Sequence, residues 1–207
     1  DADHIVALWN GGNLRADIAV GKFGAAELAS VLPYPNKVAV IYMSGAELLE
    51  ALEAAAQALP YGDASADACA SFMQAAGLTY SVNADRAYDK GEAYGKHWFK
   101  ANSVSRVTIT DVNGKAFDPN ATYALAGMNY TLRNLGDGFA MFDGAELIKD
   151  YVSEDYLVMS SYAAMFGGVD ANGLPHLSSA NSPLADYPGY LLNYEDPYGA
   201  GRIQMIW

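Results

Sequence analysis

Apolar residues in this chain come in runs of about six, each stopped by glycine, proline or a polar turn. His4 to Trp9 reads HIVALW and ends at Asn10-Gly11-Gly12-Asn13; Val38 to Met43 reads VAVIYM; Tyr123 to Met128 reads YALAGM. Runs this short fit buried strands better than helices, and none approaches the ~18 apolar residues of a membrane span. Helical stretches lie between them. Gly24 to Leu32 (GAAELASVL) has a helical pattern that Pro33 must end, since proline has no N–H to give to the ladder. Ser44-Gly45-Ala46-Glu47 has the form of a capping box and predicts a helix over 45–59, closed by Pro60.

Further along, residues 61–71 read as a loop and 72–82 as a strand region broken at Gly77, followed by an irregular polar stretch over 83–103. Val104 to Val112 alternates as a half-buried strand does, and Asn113-Gly114 is the two-residue hairpin signal that turns it into Lys115-Ala116-Phe117. Helical patterns are expected at about 144–152 and 154–166, and a last strand over 202–207. The stretch 167–200, rich in Gly, Pro, Ser, Asn and Tyr, is expected to wrap the surface as a long loop anchored by its tyrosines. Strands interleaved with helices, with no internal repeat and no linker, predict one α+β domain over 1–207 with a mixed β-sheet packed against helices.

Charge then excludes a class of function. With 12 Lys+Arg against 24 Asp+Glu, the chain carries a formal net charge of −12, the wrong sign for a binder of nucleic-acid backbones. Its 52% hydrophobic and 17% charged residues can bury a core, so wholesale disorder is excluded too. Cys69 is the only cysteine, so no internal disulfide forms, and it reads as a small buried hydrophobe. His4, His97 and His176 are scattered, with no HExxH, HxH or Cys/His spacing, and point to no metal site in this chain. No GxSxG elbow, Walker A loop or GxGxxG stands anywhere in it. The opening DADHIVALWNGG shows neither the basic start nor the apolar centre of a signal peptide.

Two features carry chemistry. Asn10-Gly11-Gly12-Asn13-Leu14-Arg15 puts bare backbone, an amide and a guanidinium within one turn at a strand end, a combination suited to a base edge or an anion. It is equally the pattern of an ordinary glycine turn with a solvated arginine. Asn129-Tyr130, followed by Gly136-Asp137-Gly138-Phe139, sets a carboxylate on a glycine-flanked turn, where it can accept hydrogen bonds from vicinal hydroxyls, although Asp-Gly is also a common turn dipeptide.

Several blocks taken in order are more specific than either feature. NGGNLR (10–15), GAAELASVLPYPN (24–36), VIYMSGAELLEALE (40–53), SFMQAAGLTYSV (71–82), RVTITDVNGKAFDPNATYALA (106–126), NYTLRNLGDGF (129–139) and GRI (201–203) together resemble the carboxy-terminal domain of the 5′-nucleotidase family. The resemblance implies a nucleotide or nucleoside clamp, inactive by itself. Its covalently linked partner would be an amino-terminal metallophosphoesterase domain with two divalent metal ions, in an exported hydrolase found in the periplasm, at the cell surface or secreted. Carried over residue by residue, it assigns the base contact to Asn10, the phosphate contact to Arg15, the stacking aromatics to Tyr34 and Tyr130, and the ribose hydroxyls to Asp137.

Both aromatics are tyrosine where the family often has phenylalanine, and Leu135 stands where it customarily has the first glycine of GGDG. The competing expectation is a non-catalytic ligand-binding module, for carbohydrate for instance, motivated by 15 Tyr and 3 Trp whose faces suit sugar rings.

Overall fold

The computed structural model describes residues 4–59, 70–94, 98–187, 193–196, 199 and 201–207. In chain order the elements are β1 (Ile5–Asn10), α1 (Ala25–Val31), β2 (Val38–Ser44), α2 (Gly45–Ala55), β3 (Met73–Ala76), β4 (Leu78–Asn83), β5 (Lys90–Ala93), β6 (Phe99–Ala101), β7 (Val107–Val112), β8 (Lys115–Ala116), β9 (Thr122–Met128), α3 (Asn129–Leu132), β10 (Leu147–Lys149), α4 (Asp155–Ala164) and β11 (Ile203–Ile206). The fold is the α+β arrangement of mixed sheets and a few helices expected from the sequence.

One sheet has five strands in the order β10-β2-β9-β1-β3, and a second has four, β11-β4-β7-β8. In the first, β1 runs parallel to β9 with Ile5 beside Ala124 and Ala7 beside Ala126, while β2 lies antiparallel to β9 from Val38 opposite Met128 to Ser44 opposite Thr122. The second is antiparallel apart from β11, which runs parallel to β4. β3 and β4 follow one another through Gly77, so the chain steps from one sheet to the other there. The Asn113-Gly114 hairpin is present, with left-handed backbone at both residues (φ 50° and 80°), the geometry that matches the twist of the flanking strands.

Strand alternation builds the core. β2 turns Ala39, Ile41 and Met43 inward, β9 turns Tyr123 and Leu125, and β4 and β7 add Tyr80, Val82, Val107 and Ile109. α2 packs against both β2 and β7 and contributes Leu48, Ala51, Leu52 and Ala55. Each fully buried leucine or isoleucine contributes roughly 1.5–3 kcal/mol by leaving water. The start of α2 is fixed by the predicted box: Ser44 Oγ accepts the Glu47 N–H at 3.2 Å, and Glu47 Oε2 accepts the Ser44 N–H at 2.7 Å.

The end of α2 holds a buried pair of opposite charges. Glu53 is 0% exposed, and its carboxylate accepts the backbone N–H groups of Arg106, at 3.0 Å, and Val107, at 2.8 Å. Arg106, 2% exposed, aims its guanidinium back at the helix and donates to Ala56 O at 2.8 Å and Leu59 O at 2.6 Å. A cation thus holds carbonyls of the turn that follows α2, while an anion from that helix receives the N–H groups at the start of β7. Burial pushes the Arg106 pKa down, and Glu53 pulls it back up.

Several boundaries differ from the sequence expectation. The helix expected at about 144–152 is absent: residues 147–149 form β10, an edge strand on β2, and Tyr42 donates its N–H to Glu146 O at 2.8 Å. Gly144 (φ 74°) and Tyr151 (φ 47°) take left-handed backbone that a right-handed helix cannot contain. α2 ends at Ala55 rather than Leu59, β7 begins at Val107 rather than Val104, and the stretch 83–103 contains the β5–β6 hairpin.

The loop read at 61–71, with Cys69 in it, falls outside the described residues except for 70 and 71, as do His97 and part of 167–200. Of the described tyrosines in that long stretch, Tyr194 packs edge-on at 5.1 Å against Phe166, which Tyr162 of α4 also meets edge-on at 5.2 Å, while Tyr187 is exposed.

Candidate functional site

The parallel strands β1 and β9 both end at one cleft of about 410 Å³. Its walls come from five separate stretches of chain: Asn10, Gly12 and Asn13 at and after the end of β1; Tyr34, Pro35 and Asn36 between α1 and β2; Ala70 before β3; Met128 and Tyr130 at the end of β9 and in α3; and Asp137 in the turn that follows. Residues 120 positions apart therefore meet because β1 and β9 are neighbours in register (10 to 130).

The turn after β1 is one short 3-10 turn, Gly11–Asn13, tied to the adjoining segment by Gly11 N–H donating to Phe72 O at 2.7 Å. Glycine is needed at position 12, since a Cβ there would lie 2.6 Å from the Cβ of Ala70. The second turn, Gly136–Gly138, carries left-handed backbone at Leu135 (φ 55°) and Asp137 (φ 57°). Leu135 thus takes, with a side chain, the conformation that glycine adopts freely, and such strain concentrates at functional turns.

Asp137 joins these two turns. Its Oδ2 accepts Asn10 Nδ2 at 2.6 Å, and its Oδ1 accepts the Tyr130 hydroxyl at 3.0 Å. The Tyr130 ring lies directly on Gly136, where a Cβ would come within 2.4 Å of it. Asn10 is 5% exposed, and its Oδ1 is buried with no hydrogen-bond partner among the described residues. An unsatisfied buried acceptor costs about 1–3 kcal/mol, and such groups persist chiefly where a ligand or water meets them. Tyr34 and Tyr130 line the cleft and remain 45% and 39% exposed.

Arg15 stands apart. It does not line the cleft; its guanidinium lies 5.8 Å from the Tyr34 ring centroid and donates to Gly12 O at 3.2 Å, on an exposed side chain. Of the five residues singled out in the sequence, Asn10, Tyr34, Tyr130 and Asp137 share the cleft, and Arg15 sits outside it against Tyr34.

Behind the cleft runs a polar chain that the sequence did not announce. Asn36 Nδ2 donates to Asn13 Oδ1 at 3.0 Å, and Asn13 Nδ2 donates to Asp155 Oδ2 at 3.1 Å. Asp155 Oδ1 then accepts the Tyr156 N–H at 2.8 Å, in the first turn of α4. Asn13 and Asp155 are each 3% exposed. Burial raises the Asp155 pKa, and its hydrogen bonds from Asn13 and Tyr156 oppose that shift. Asn13 and Asn36 lay within the quoted blocks, but Asp155, 142 positions from Asn13, carried no local signal.

Among the described residues, no three His, Cys, Asp or Glu side chains gather as a metal would require, so these residues do not fit a two-metal centre. No helix among them is long and apolar enough to cross a membrane.

The sequence model of the 5′-nucleotidase carboxy-terminal domain matches residues 1–144. The chain belongs to that family. The trifunctional nucleotide phosphoesterase protein YfkN of Bacillus subtilis is 26% identical over 164 residues, which is 78% of this chain and 10% of that protein. The 5′-nucleotidase precursor of Thermus thermophilus superposes with a TM-score of 0.62 at 22% identity, covering 97% of this chain and 31% of the other. The NAD nucleotidase of Haemophilus influenzae superposes with a TM-score of 0.56 at 22% identity, over 77% of this chain and 27% of its own. These superpositions establish the fold of the domain, which spans a third or less of each of these relatives.

Proposed function

We propose that this domain is the nucleotide-recognition part of an exported 5′-nucleotidase-like phosphohydrolase. Its cleft holds the base between Tyr34 and Tyr130 and the ribose hydroxyls on Asp137, and leaves the phosphate beside Arg15. The observation that carries this reading is the meeting of Asn10, Tyr34, Tyr130 and Asp137, from distant stretches of chain, in one cleft of nucleoside size. Stacking contributes roughly 1–3 kcal/mol per base, and charge-assisted contacts to ribose and phosphate add to it. Micromolar to millimolar affinity follows.

In this reading, two divalent ions bound by a linked amino-terminal domain would supply the activated water and the charge neutralisation that phosphoryl transfer needs. This chain's residues bind and orient: two ring faces hold the base plane, the Asp137 carboxylate holds the sugar, and the Arg15 guanidinium meets the anion at the rim.

Calorimetric titration of the chain with AMP, adenosine and a neutral disaccharide tests it. AMP and adenosine should bind and the disaccharide should not. Tyr34→Ala should weaken both nucleotide ligands about tenfold or more. Arg15→Ala should weaken AMP more than adenosine, because only AMP carries the anion. Binding of the disaccharide without adenosine would replace this reading with a carbohydrate module.

A further inference from the structure

The turn that carries Asp137 is weakly held by its own backbone. Leu135, Asp137 and Gly138 all take left-handed backbone (φ 55°, 57° and 76°), and the bond that closes the turn, from Phe139 N–H to Gly136 O, is long at 3.4 Å. Conformations of this kind persist where the surrounding structure over-determines them. Aromatic residues supply that constraint at both glycines. The Tyr130 ring fills the space of a Cβ at Gly136; at Gly138, a Cβ would overlap the Cβ of Trp98 and lie 3.0 Å from its Cγ and 3.5 Å from the Cβ of Tyr94. Trp98 and Tyr94 belong to the β5–β6 hairpin, where Tyr94 N–H donates to Trp98 O at 2.8 Å. The hairpin is tied down in turn: Phe99 N–H donates to Gln57 Oε1 at 3.2 Å, just beyond the end of α2, and the Tyr88 hydroxyl donates to Phe99 O at 2.8 Å. Trp98 itself does not line the cleft.

We propose that Trp98 is a positioning residue for the Asp137 turn, and that the β5–β6 hairpin acts through it to set the preference of the cleft for ribose over a sugar without vicinal hydroxyls. Asn10 and Tyr130 hold the two oxygens of the carboxylate, while Tyr130 and Trp98 hold the glycines on either side of its Cα. Both ends must stay in place for the carboxylate to meet a diol. A hydrogen bond weakens steeply as its angle departs from linear, so a turn free to shift at Gly138 loses the ribose hydroxyls before the tyrosines lose the base. The inference rests on the reading of Asp137 as the ribose contact. It goes beyond that reading by giving the sugar preference to a hairpin that touches no ligand and lies far in sequence from the turn after β1.

The test is equilibrium titration of the chain with adenosine and 2′,3′-dideoxyadenosine, which share a base and differ in the hydroxyls offered to Asp137. The unaltered chain should bind adenosine about tenfold tighter. In Trp98→Ala that preference should fall to about threefold or less, with the affinity for the dideoxynucleoside within about twofold of its original value. In an Asp137→Ala background the same substitution should leave adenosine affinity within about twofold, because no carboxylate remains to be positioned. If Trp98→Ala does not fold by circular dichroism, Gln57→Ala cuts the tie between the hairpin and the end of α2, and the preference should fall in the same direction. Equal loss of both nucleosides, or an unchanged preference in the variant that folds, overturns the inference and makes the hairpin a support of the fold alone. Equal binding of the two by the unaltered chain takes the ribose contact away from Asp137 and overturns the inference, while the base reading stands. Failure of both to bind overturns the nucleotide reading and the inference with it.

Discussion

Tyr130 donates its hydroxyl to Asp137 Oδ1 over 3.0 Å while its ring occupies the space that a Cβ on Gly136 would need. One side chain is thus held at both ends by a single turn, at the ring by the absence of a side chain and at the hydroxyl by a carboxylate. That turn is itself held to the end of β1 through Asn10. The Tyr130 ring, the Asp137 carboxylate and the Asn10 amide are therefore positioned as one unit.

This coupling makes Gly136 a test of the site without touching a proposed ligand contact. In Gly136→Ala, the new methyl would lie 2.4 Å from the Tyr130 ring, so the ring must leave its place. Adenosine affinity should fall by about tenfold, the order of one lost stacking face. Tyr130→Phe keeps the ring and loses only the hydroxyl, so its affinity should stay within about threefold of the original. Calorimetric titration of both variants checks the pair. The idea fails if Gly136→Ala binds as the unaltered chain does.

Glu53 and Arg106 should dominate the response of the fold to mutation away from the cleft. Glu53→Ala leaves two backbone N–H groups without their acceptor and a buried guanidinium without its counter-charge. Breaking a buried pair in this way costs about 3–5 kcal/mol. Glu53→Gln keeps one acceptor oxygen and should lose less. Urea unfolding monitored by circular dichroism gives both values, and a loss under ~1 kcal/mol for Glu53→Ala would show that the pair is not a support of α2.

How much of this was legible beforehand follows from the range over which each interaction acts. The capping box at Ser44, the hairpin at Asn113-Gly114 and the alternating faces of β2 and β9 are set by residues within a few positions of each other, and all were readable. β10 was not. Its residues carry a helical pattern, and only the open edge of β2 and the left-handed backbone at Gly144 and Tyr151 make it a strand. In the site, Asn10, Tyr34, Tyr130 and Asp137 were picked out through ordered blocks of family resemblance. The Asn13–Asp155 bond joins residues 142 positions apart and has no pattern in either neighbourhood. Arg15 shows the opposite limit: its place in the turn was plain, but its direction depends on the Tyr34 ring arriving from another loop.

Asp155 should leave a signature in the pH dependence of stability. Burial raises its pKa in the folded state above the ordinary value of 3.8, so over that interval the folded chain binds its proton more tightly than the unfolded chain does. Its contribution to stability is full below the unfolded pKa and is lost as pH rises through the folded one. The difference in unfolding free energy between the unaltered chain and Asp155→Asn should therefore shift against the unaltered chain as pH rises from about 4 toward neutrality. Urea titrations at matched pH values measure that difference directly. A difference that moves the other way would mean that the hydrogen bonds from Asn13 and Tyr156 outweigh burial.

The last expectation is that this chain by itself releases no phosphate from AMP. Phosphomonoester hydrolysis is among the slowest uncatalysed reactions, and a catalyst must supply an activated nucleophile as well as stabilisation of the transferring group. The cleft's one carboxylate, Asp137, is engaged by Asn10 and Tyr130 in holding the two turns together. Asp155 lies behind the wall, bonded to Asn13 and the start of α4. Arg15 lies outside the cleft against Tyr34 and Gly12 O, and no cleft-lining residue is placed beside it as a base to deprotonate water. Incubation of the purified chain with AMP and millimolar Mn²⁺, Co²⁺ or Zn²⁺ should therefore yield phosphate at the rate of buffer alone, while the same preparation still binds AMP. Turnover that travels with the chain through purification, and that chelation abolishes, would place a complete active site within these 207 residues and end the reading of this domain as a recognition module.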